Sequence, residues 1–229
     1  MRFVVFSYRL PFSIDRFKIG SQYMFIQAMK SFNTASGDKL YEIVDRKITP
    51  EEQSTYSKIH PKRYPGKFVR NLVPKGCELI EERSQSLWPV TKTEYTVPNR
   101  TAIGGASMTT IVTPDRANPV PLEIIEIIGV NKYSIEFFDL VLPNFQGPTC
   151  FVYRLLKFEV NMFGKSLVEK AIISTARKTY KTNYSNAIKN AHEWSGLTDN
   201  DMDKIFNGDI VKETEISTEA ENEIQQLKE

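Results

Sequence analysis

The sequence predicts an α+β domain in which a curved antiparallel sheet wraps around a long C-terminal helix and encloses a cavity that the helix does not completely fill. Three observations lead to this fold class. A strand-like N-terminal segment is followed by one amphipathic helix. A series of short segments with alternating side chains then indicates consecutive antiparallel strands. Finally, residues 165–194 contain neither proline nor glycine and repeat apolar residues at helical spacing.

The N-terminal part begins with a strand and a helix. The strand extends from Arg2 to Leu10, and Pro11 ends it. Ser13 can cap a helix that runs to about Phe32. Two candidate strands and a short helical piece follow, at Tyr41 to Thr49, Thr55 to His60 and Lys67 to Leu72.

The middle of the chain predicts a meander of strands. Three consecutive antiparallel strands are expected, at Cys77 to Leu87, Val90 to Val97 and Ser107 to Thr113. The apolar stretch from Leu122 to Ile128 fits either a helix or a strand. The last two strands are expected over residues 134–142 and 151–162.

The C-terminal part predicts the long helix from Lys165 to Trp194. The residues Gly196 to Asp199 end this helix and cap a short one from about Asn200 to Phe206. We therefore expect a single domain over residues 1–206. An acidic tail follows over residues 207–229, and the sequence leaves its structure open.

Composition fits a globular protein of a reducing compartment. Of the 229 residues, 41% are hydrophobic and 25% are charged. The two cysteines, Cys77 and Cys150, have no metal or redox spacing. No apolar run approaches the roughly 20 residues that span a bilayer, and the N-terminus is too interrupted for a signal peptide. These observations predict a cytoplasmic protein and argue against a membrane-spanning one.

Charge is unevenly distributed along the chain. The net charge is +2, but residues 207–229 hold seven acids and two lysines, a sum of −5, which leaves +7 on residues 1–206. A basic body favours anionic surfaces such as a membrane or nucleic acid. A soluble domain with a solvated tail explains the same numbers.

The strand over residues 151–162 carries one unexpected charge. Alternate residues of a strand share a face, and Arg154 falls on the apolar face with Val152, Leu156, Phe158 and others. An arginine keeps its charge, and an unpaired buried charge is very costly, so an anion should meet it. That anion is either a carboxylate, from Glu82 or Glu78, or a ligand.

Hydroxyl side chains repeat this inward pattern in the meander. Thr91 and Thr93 share a face of one strand, and Thr110 lies on the apolar face of the next. Threonine is common in strands, so the threonines alone indicate only structure. Together with Arg154 they suit a phosphate or another anionic group. Catalytic signals are weak, because the only histidines, His60 and His192, have no metal-ligand spacing and no nucleophile motif.

Several groups of residues occur in an order and spacing that match one known family. They are Tyr8 to Asp15 with Ile19 to Tyr23; Pro74 to Gly76 with Glu82, Trp88, Pro89, Lys92 and Thr93; Thr113 to Asp115; Pro148, Cys150, Tyr153 to Leu155 and Gly164; and Trp194, Leu197, Thr198 and Asp201. Through them the chain resembles the phosphatidylinositol transfer proteins over most of residues 1–206. The span from Arg116 to Phe145 is much shorter than that family's regulatory loop region.

The resemblance implies a helix-grip fold of the START and Bet v 1 type that encloses one phospholipid. The family carries phosphatidylinositol or phosphatidylcholine between membranes without chemistry, so the resemblance implies no enzyme activity and no cofactor, with the phospholipid as cargo. The implied partners are a phospholipid and, transiently, a membrane surface. We expect a monomer with no nucleic-acid partner, cytoplasmic and peripheral at membranes.

The resemblance also implies roles for individual residues. Arg154 stands where the family has a basic residue near the inositol phosphate, and Thr93 and Thr110 stand where it has head-group threonines. Met162 and Phe163 replace an exposed aromatic pair that dips into membranes. The first and final helices would form the gate.

Other positions depart from the family pattern. Ser86 stands at an inositol-binding asparagine and Phe206 at a head-group glutamate, while a cysteine and a glutamine are replaced. An early threonine–x–lysine becomes Thr55 and Ser57 or, with one deletion, Tyr56 and Lys58, and alternation does not choose between them. The head-group candidates are Arg154, Thr93, Thr110, Ser86, Lys58, Thr55, Thr91 and Ser21.

These departures leave phosphate recognition intact and do not select inositol. A helix-grip carrier of another lipid, such as phosphatidic acid or a sterol, is the main alternative. A lipid hydrolase or cyclase on the same scaffold and an anion-binding adaptor are the others.

Overall fold

A computed structural model describes residues 1–36, 39–49, 52–63, 73, 75–98, 103–114 and 120–207. These residues form one sheet of eight strands with helices on both faces. The strands are β1 (Arg2–Leu10), β2 (Tyr41–Ile48), β3 (Gln53–Ile59), β4 (Ile80–Leu87), β5 (Val90–Thr96), β6 (Ile103–Thr113), β7 (Tyr133–Asp139) and β8 (Cys150–Val160). The α-helices are α1 (Ile14–Ser36), α2 (Leu122–Ile128), α3 (Lys165–Lys189), α4 (Ala191–Trp194) and α5 (Asp199–Asn207), and Pro61–Arg63 forms a 3₁₀ turn.

The strand order across the sheet is β2-β3-β4-β5-β6-β8-β1-β7. The meander from β2 to β6 is antiparallel throughout, and β8 pairs antiparallel with both β6 and β1. The expectation of a purely antiparallel sheet is wrong at one edge, where β7 runs parallel to β1. The predicted α+β class, a curved and unclosed sheet with a long C-terminal helix, is confirmed.

Strand β1 explains why the domain has two apolar layers. Its residues Val4, Phe6, Tyr8 and Leu10 face α1 and α3 in the larger core. Its alternate residues, such as Val5, pack on the other side of the sheet under α2. A strand buried on both faces has the near-continuous apolar sequence seen here.

Several predicted boundaries are corrected. The ambiguous stretch from Leu122 to Ile128 is a helix, because its buried Ile124 and Ile128 share one side that covers the sheet. The strand expected from Cys77 begins only at Ile80, and the one expected to reach Leu142 ends at Asp139. The predicted helical piece from Lys67 to Leu72, and the tail from residue 208 onward, lie outside the described residues.

The long helix is interrupted near its end. It stops at Lys189, and Asn190 is a C-cap whose backbone N–H bonds to the carbonyl of Asn186. The short helix α4 that follows places Trp194, which is fully buried and donates from Nε1 to the carbonyl of Ala187 at 3.1 Å. The interruption therefore allows the chain to bury its largest side chain against α1.

Candidate functional site

A cavity of about 210 Å³ lies between α1 and the inner face of the sheet. Strands β2 to β6 and β8 form most of its wall, and the remaining wall is the inner side of α1 and the turn after β4. It is lined by Phe17, Ser21, Gln22, Phe25, Ile26, Arg46, Gln53, Thr55, Glu82, Ser84, Ser86, Trp88, Thr91, Thr93, Tyr95, Met108, Thr110, Val112 and Arg154. An apolar wall with several hydroxyls and two arginines is suited to an amphipathic ligand with an anionic group.

An open space of about 280 Å³ adjoins the cavity. The two share Ser21, Gln22, Gln53, Ser86, Trp88 and Thr91. The opening is framed by α1, α5 and the turns that join β2 to β3 and β4 to β5. We call it the mouth of the cavity.

Arg154 reaches the cavity from the middle of β8, where it lies opposite Phe6 on β1 and Thr110 on β6. Its Nε donates to the Tyr184 hydroxyl at 2.6 Å. Its guanidinium lies 4.5 Å from the centre of the Tyr180 ring, within the range of a cation–π contact. Two tyrosines of α3 therefore hold the arginine side chain on its strand.

No carboxylate of the described residues forms an ion pair with Arg154. Glu78 pairs with Lys62 instead, at 2.7 Å. Glu82 accepts a hydrogen bond from the Tyr41 hydroxyl. Of the two partners that the sequence allowed for this buried charge, a ligand anion is therefore favoured over a carboxylate.

Burial favours the neutral forms of the titratable groups near Arg154. Burial raises the pKa of Tyr184 and Tyr180 above the usual value of a phenol, although Arg154 opposes the rise. Both hydroxyls are therefore protonated near neutral pH. Burial also raises the pKa of the Glu82 carboxyl, against hydrogen bonds from Tyr41 and Tyr95 that lower it.

The hydroxyl candidates lie together on the cavity wall. Thr93 and Thr110 are both buried there. The Thr93 hydroxyl is 3.1 Å from that of Ser84, and the Ser86 and Thr91 hydroxyls are 2.9 Å apart across β4 and β5. Each such pair has one donor directed at its partner and leaves acceptor and donor capacity for a ligand.

The structure shows which alternating residues of β3 face the cavity. Thr55 lines the cavity and Ser57, on the same face, is buried. Lys58 lies on the opposite face, paired across the sheet with Glu42 and Glu81, and does not line the cavity. The inclusion of Lys58 among the inward candidates is wrong, because alternation along β3 places Lys58 on the face opposite to Thr55 and Ser57.

Arg46 is a cavity residue that the sequence did not indicate. Its side chain is only 10% exposed and its Nη2 lies 3.1 Å from Asp203 of α5. Its guanidinium stacks 3.9 Å from the centre of the Phe206 ring. Phe206, which the sequence resemblance places at a head-group glutamate position, thus packs on an arginine.

The turn after β8 presents one strongly exposed apolar side chain. Phe163 is 102% exposed, whereas Met162 is partly buried and packs against the larger core. Gly164 has φ +78°, a left-handed conformation that glycine adopts without strain. Leu167, in the first turn of α3, is 59% exposed.

Strand register places two other loops beside this turn. Arg2 pairs with Phe158, so the N-terminus lies at the same end of the sheet as Phe163. Tyr133 pairs with Phe3, which brings the fully exposed Val130 to that end as well. The mouth lies at the end of the sheet opposite to Phe163. Its residues Gln53 and Ser86 pair with each other at the ends of β3 and β4 that are furthest from Phe163.

The described residues offer no evident metal or redox centre. No three His, Cys, Asp or Glu side chains among them are grouped as metal ligands would be. Cys77 and Cys150 are buried free thiols, and burial raises the pKa of Cys150 to about 12. None of the described helices combines the length and apolar character needed to cross a bilayer.

Comparison with known proteins identifies one family. The model of a family described as phosphatidylinositol transfer protein matches residues 1–149, more than half of the chain. The membrane-associated phosphatidylinositol transfer protein 1 of Rattus norvegicus, Mus musculus and Homo sapiens is 27% identical over 93 residues. Those residues are 39% of this chain and 8% of each relative, so the chain spans a small part of the curated relatives it matches.

Solved structures give more distant likenesses. Norcoclaurine synthase from Thalictrum flavum superposes with a TM-score of 0.46 at 11% identity, covering 82% of this chain and 86% of the other. A protein of Thermus thermophilus superposes with a TM-score of 0.43 at 12% identity, covering 82% of this chain and 97% of the other.

Proposed function

Since the chain belongs to the phosphatidylinositol transfer protein family, we propose that it holds one phospholipid by its phosphate in the cavity around Arg154 and carries it between membranes. The observation that carries this proposal is the Arg154 charge, which lines the cavity and has no carboxylate partner among the described residues. A lipid phosphate is an anion that such a guanidinium binds with good geometry.

The hydroxyls beside Arg154 would complete the phosphate site. Thr93, Thr110, Thr91, Ser86, Thr55 and Ser21 all line the same cavity. A charge-assisted hydrogen bond contributes roughly 1.5–3 kcal/mol and a neutral one about 1 kcal/mol. Head-group bonds of that size select a lipid class without making release from the cavity impossibly slow.

The acyl chains require more room than the cavity has in this conformation. Ligand pockets usually have about 300–1,000 Å³, whereas the cavity has about 210 Å³. Two acyl chains hold about 30 methylenes, and moving them from a bilayer into water would cost roughly 25 kcal/mol at about 0.8 kcal/mol each. Transfer therefore needs an apolar sleeve for both chains, and we propose that α1 and α3 move away from the sheet to form it.

The arrangement of polar and apolar residues supports one orientation of the lipid. The hydroxyls of Ser86 and Thr91 lie toward the mouth end of the sheet. On the side formed by β8 and α3, the inner face toward Phe163 is apolar, with Phe158, Val160 and Ile172 in the larger core, whereas Glu82 of β4 lies on the cavity wall. A head group among the hydroxyls would thus direct its chains toward the end that carries Phe163.

That end of the domain is the proposed membrane-docking surface. Its exposed apolar side chains include Phe163, Leu167 and Val130. Two of its lysines, Lys132 and Lys165, are exposed. Lys132 would add about 1 kcal/mol on an anionic leaflet, and Lys165, which lies 3.7 Å from Glu169, would add less. Met162 is a weaker candidate than the sequence suggested, because it is partly packed against the core.

We propose a carrier without catalytic activity or cofactor, with a phospholipid and a transient membrane surface as its partners. Neither histidine lines the cavity, since His60 follows β3 and His192 is exposed in α4. We propose that the protein is cytoplasmic and monomeric and has no nucleic-acid partner. Residues 1–206 would form the lipid-binding domain, and residues 207–229 would form an acidic tail.

A vesicle transfer assay tests this proposal. We expect the wild-type protein to move phosphatidylinositol or phosphatidylcholine between donor and acceptor vesicles and Arg154→Met to lower the rate at least about tenfold. Arg177→Met is the matched control, because Arg177 pairs with Glu136 on the exposed side of α3 and does not line the cavity. Equal rates for the wild type and Arg154→Met would contradict the phosphate role.

A further inference from the structure

Arg46 is the second cation of the cavity, and its charge is only partly neutralised. Its side chain is 10% exposed, while its ion-pair partner Asp203 is 38% exposed at the mouth. Its Nε is buried and has no hydrogen-bond partner among the described residues. A buried charged donor without a partner is unfavourable, so a ligand group that accepts from it gains affinity.

The contacts of Arg46 fix its orientation and leave donors available. The guanidinium is stacked on the Phe206 ring at 3.9 Å. Stacking occupies one face of the guanidinium and does not involve its N–H groups, which lie in the plane. Nη2 is directed at Asp203, and Nε is buried without a partner in the described part of the chain, so a ligand oxygen would reach the Nε–H only as the Arg46 side chain leaves Asp203. Such a stacked, planar fork suits the oxygens of a phosphate.

Arg46 and Arg154 lie on opposite walls of the cavity. Arg46 belongs to β2 at one edge of the sheet, and four strands separate β2 from β8, which carries Arg154. Sheet curvature brings both to one cavity. A single phosphodiester held on Arg154 therefore leaves Arg46 to meet a different part of the head group.

The other acids near the mouth already have partners. Asp199 accepts from Lys18 and from Gln22, both at 2.8 Å. Glu52 accepts from Gln85 at 2.9 Å. Asp203 is thus the carboxylate that an incoming anion would displace from Arg46.

We infer that Arg46 binds a second anionic group of the cargo, so that the preferred ligand is a phospholipid whose head group carries a phosphate in addition to its phosphodiester. This inference rests on the proposed function of phospholipid binding. Arg154 would hold the phosphodiester, and Arg46 would exchange Asp203 for the additional phosphate.

A competition experiment with the full-length protein tests the inference. The protein is loaded from vesicles that contain phosphatidylinositol and phosphatidylinositol 4-phosphate in equal amounts, and bound lipid is quantified by mass spectrometry. We expect the wild type to prefer the ring-phosphorylated lipid by about tenfold or more, the scale of one charge-assisted hydrogen bond. Arg46→Gln should remove that preference, and Arg177→Gln, at an exposed ion pair outside the cavity, should keep it.

Asp203→Asn supplies a test in the opposite direction that misfolding does not imitate. The substitution removes the competing carboxylate, so we expect a stronger preference for the ring-phosphorylated lipid. Equal loading of the two lipids by the wild type, or an unchanged preference in Arg46→Gln, would overturn this inference while leaving phospholipid binding in place. A wild-type protein that takes up no phospholipid would overturn the proposed function as well.

Discussion

Replacing Phe163 by alanine should weaken membrane docking and leave the fold intact. Phe163 is 102% exposed, so its ring has no packing in the protein that a substitution would remove. Exposed substitutions of this kind change the free energy of unfolding by no more than about 0.5 kcal/mol. Burying a phenylalanine in an apolar medium contributes about 1.5–3 kcal/mol. At about 1.4 kcal/mol per factor of ten, Phe163→Ala should reduce vesicle affinity roughly 10- to 100-fold.

Vesicle co-sedimentation with phosphatidylcholine and phosphatidylserine measures this change. Leu87→Ala is the matched control, because Leu87 is 53% exposed but pairs with Val90 at the mouth end of the sheet. Since Lys132 and Lys165 would contribute electrostatically, raising the salt concentration should weaken binding by both the wild type and the variant. Equal binding of Phe163→Ala and the wild type, or an equal loss in Leu87→Ala, would refute the assignment of the docking surface.

Three further predictions concern the protein interior. A side chain at Gly20 would place its Cβ 2.8 Å from the buried Trp194 ring. Gly20→Val should therefore lower the free energy of unfolding by about 1–3 kcal/mol, measured by denaturant unfolding. An unchanged denaturation midpoint would show that the ring can shift. Burial raises the pKa of Glu82 above its usual 4.5, so the stability it contributes is present below about pH 4.5 and is lost as pH rises through the folded-state value. Glu82→Gln should therefore flatten the fall in unfolding free energy as the pH rises above about 4.5, and a slope equal to that of the wild type would contradict this. Cys150 is buried and its pKa is raised to about 12, so it should react with a thiol reagent at pH 8 only after denaturation; rapid labelling of the native protein would contradict its burial.

The position of Arg154 could be predicted because β8 is long and regular. Nine residues of β8, from Cys150 to Phe158, pair with β1 without a bulge, so parity alone assigns each side chain to a face. The sequence could not predict how the charge is held. The contacts with Tyr180 and Tyr184 come from α3, which is distant along the chain.

Arg46 could not be predicted because β2 is irregular. The pairing of β2 with β3 shifts between Ile43 and Asp45, and the intervening Val44 is exposed. An extra residue in one strand exchanges the inward and outward sets for everything that follows. Simple alternation from Tyr41, whose hydroxyl bonds to Glu82 inside, therefore assigns Arg46 to the wrong face.

Sequence patterns also could not predict the parallel pairing of β7 with β1 or the position of helix α2. The stretch from Leu122 to Ile128 is too short for periodicity to separate helix from strand. Its place on the outer face depends on Phe3 and Val5 of β1, which no local pattern reveals. Once α2 crosses that face, the chain re-enters the sheet beside β1 and in the same direction.

The most direct test of the central claim is native mass spectrometry of the protein as it is purified from cells, with the bound lipid then released and identified. We predict one glycerophospholipid per chain in the wild type and a clearly smaller loaded fraction in Arg154→Met, with Arg177→Met loaded like the wild type. A wild-type protein that carries a sterol or no lipid, or an Arg154→Met variant that is loaded as fully as the wild type, would contradict it.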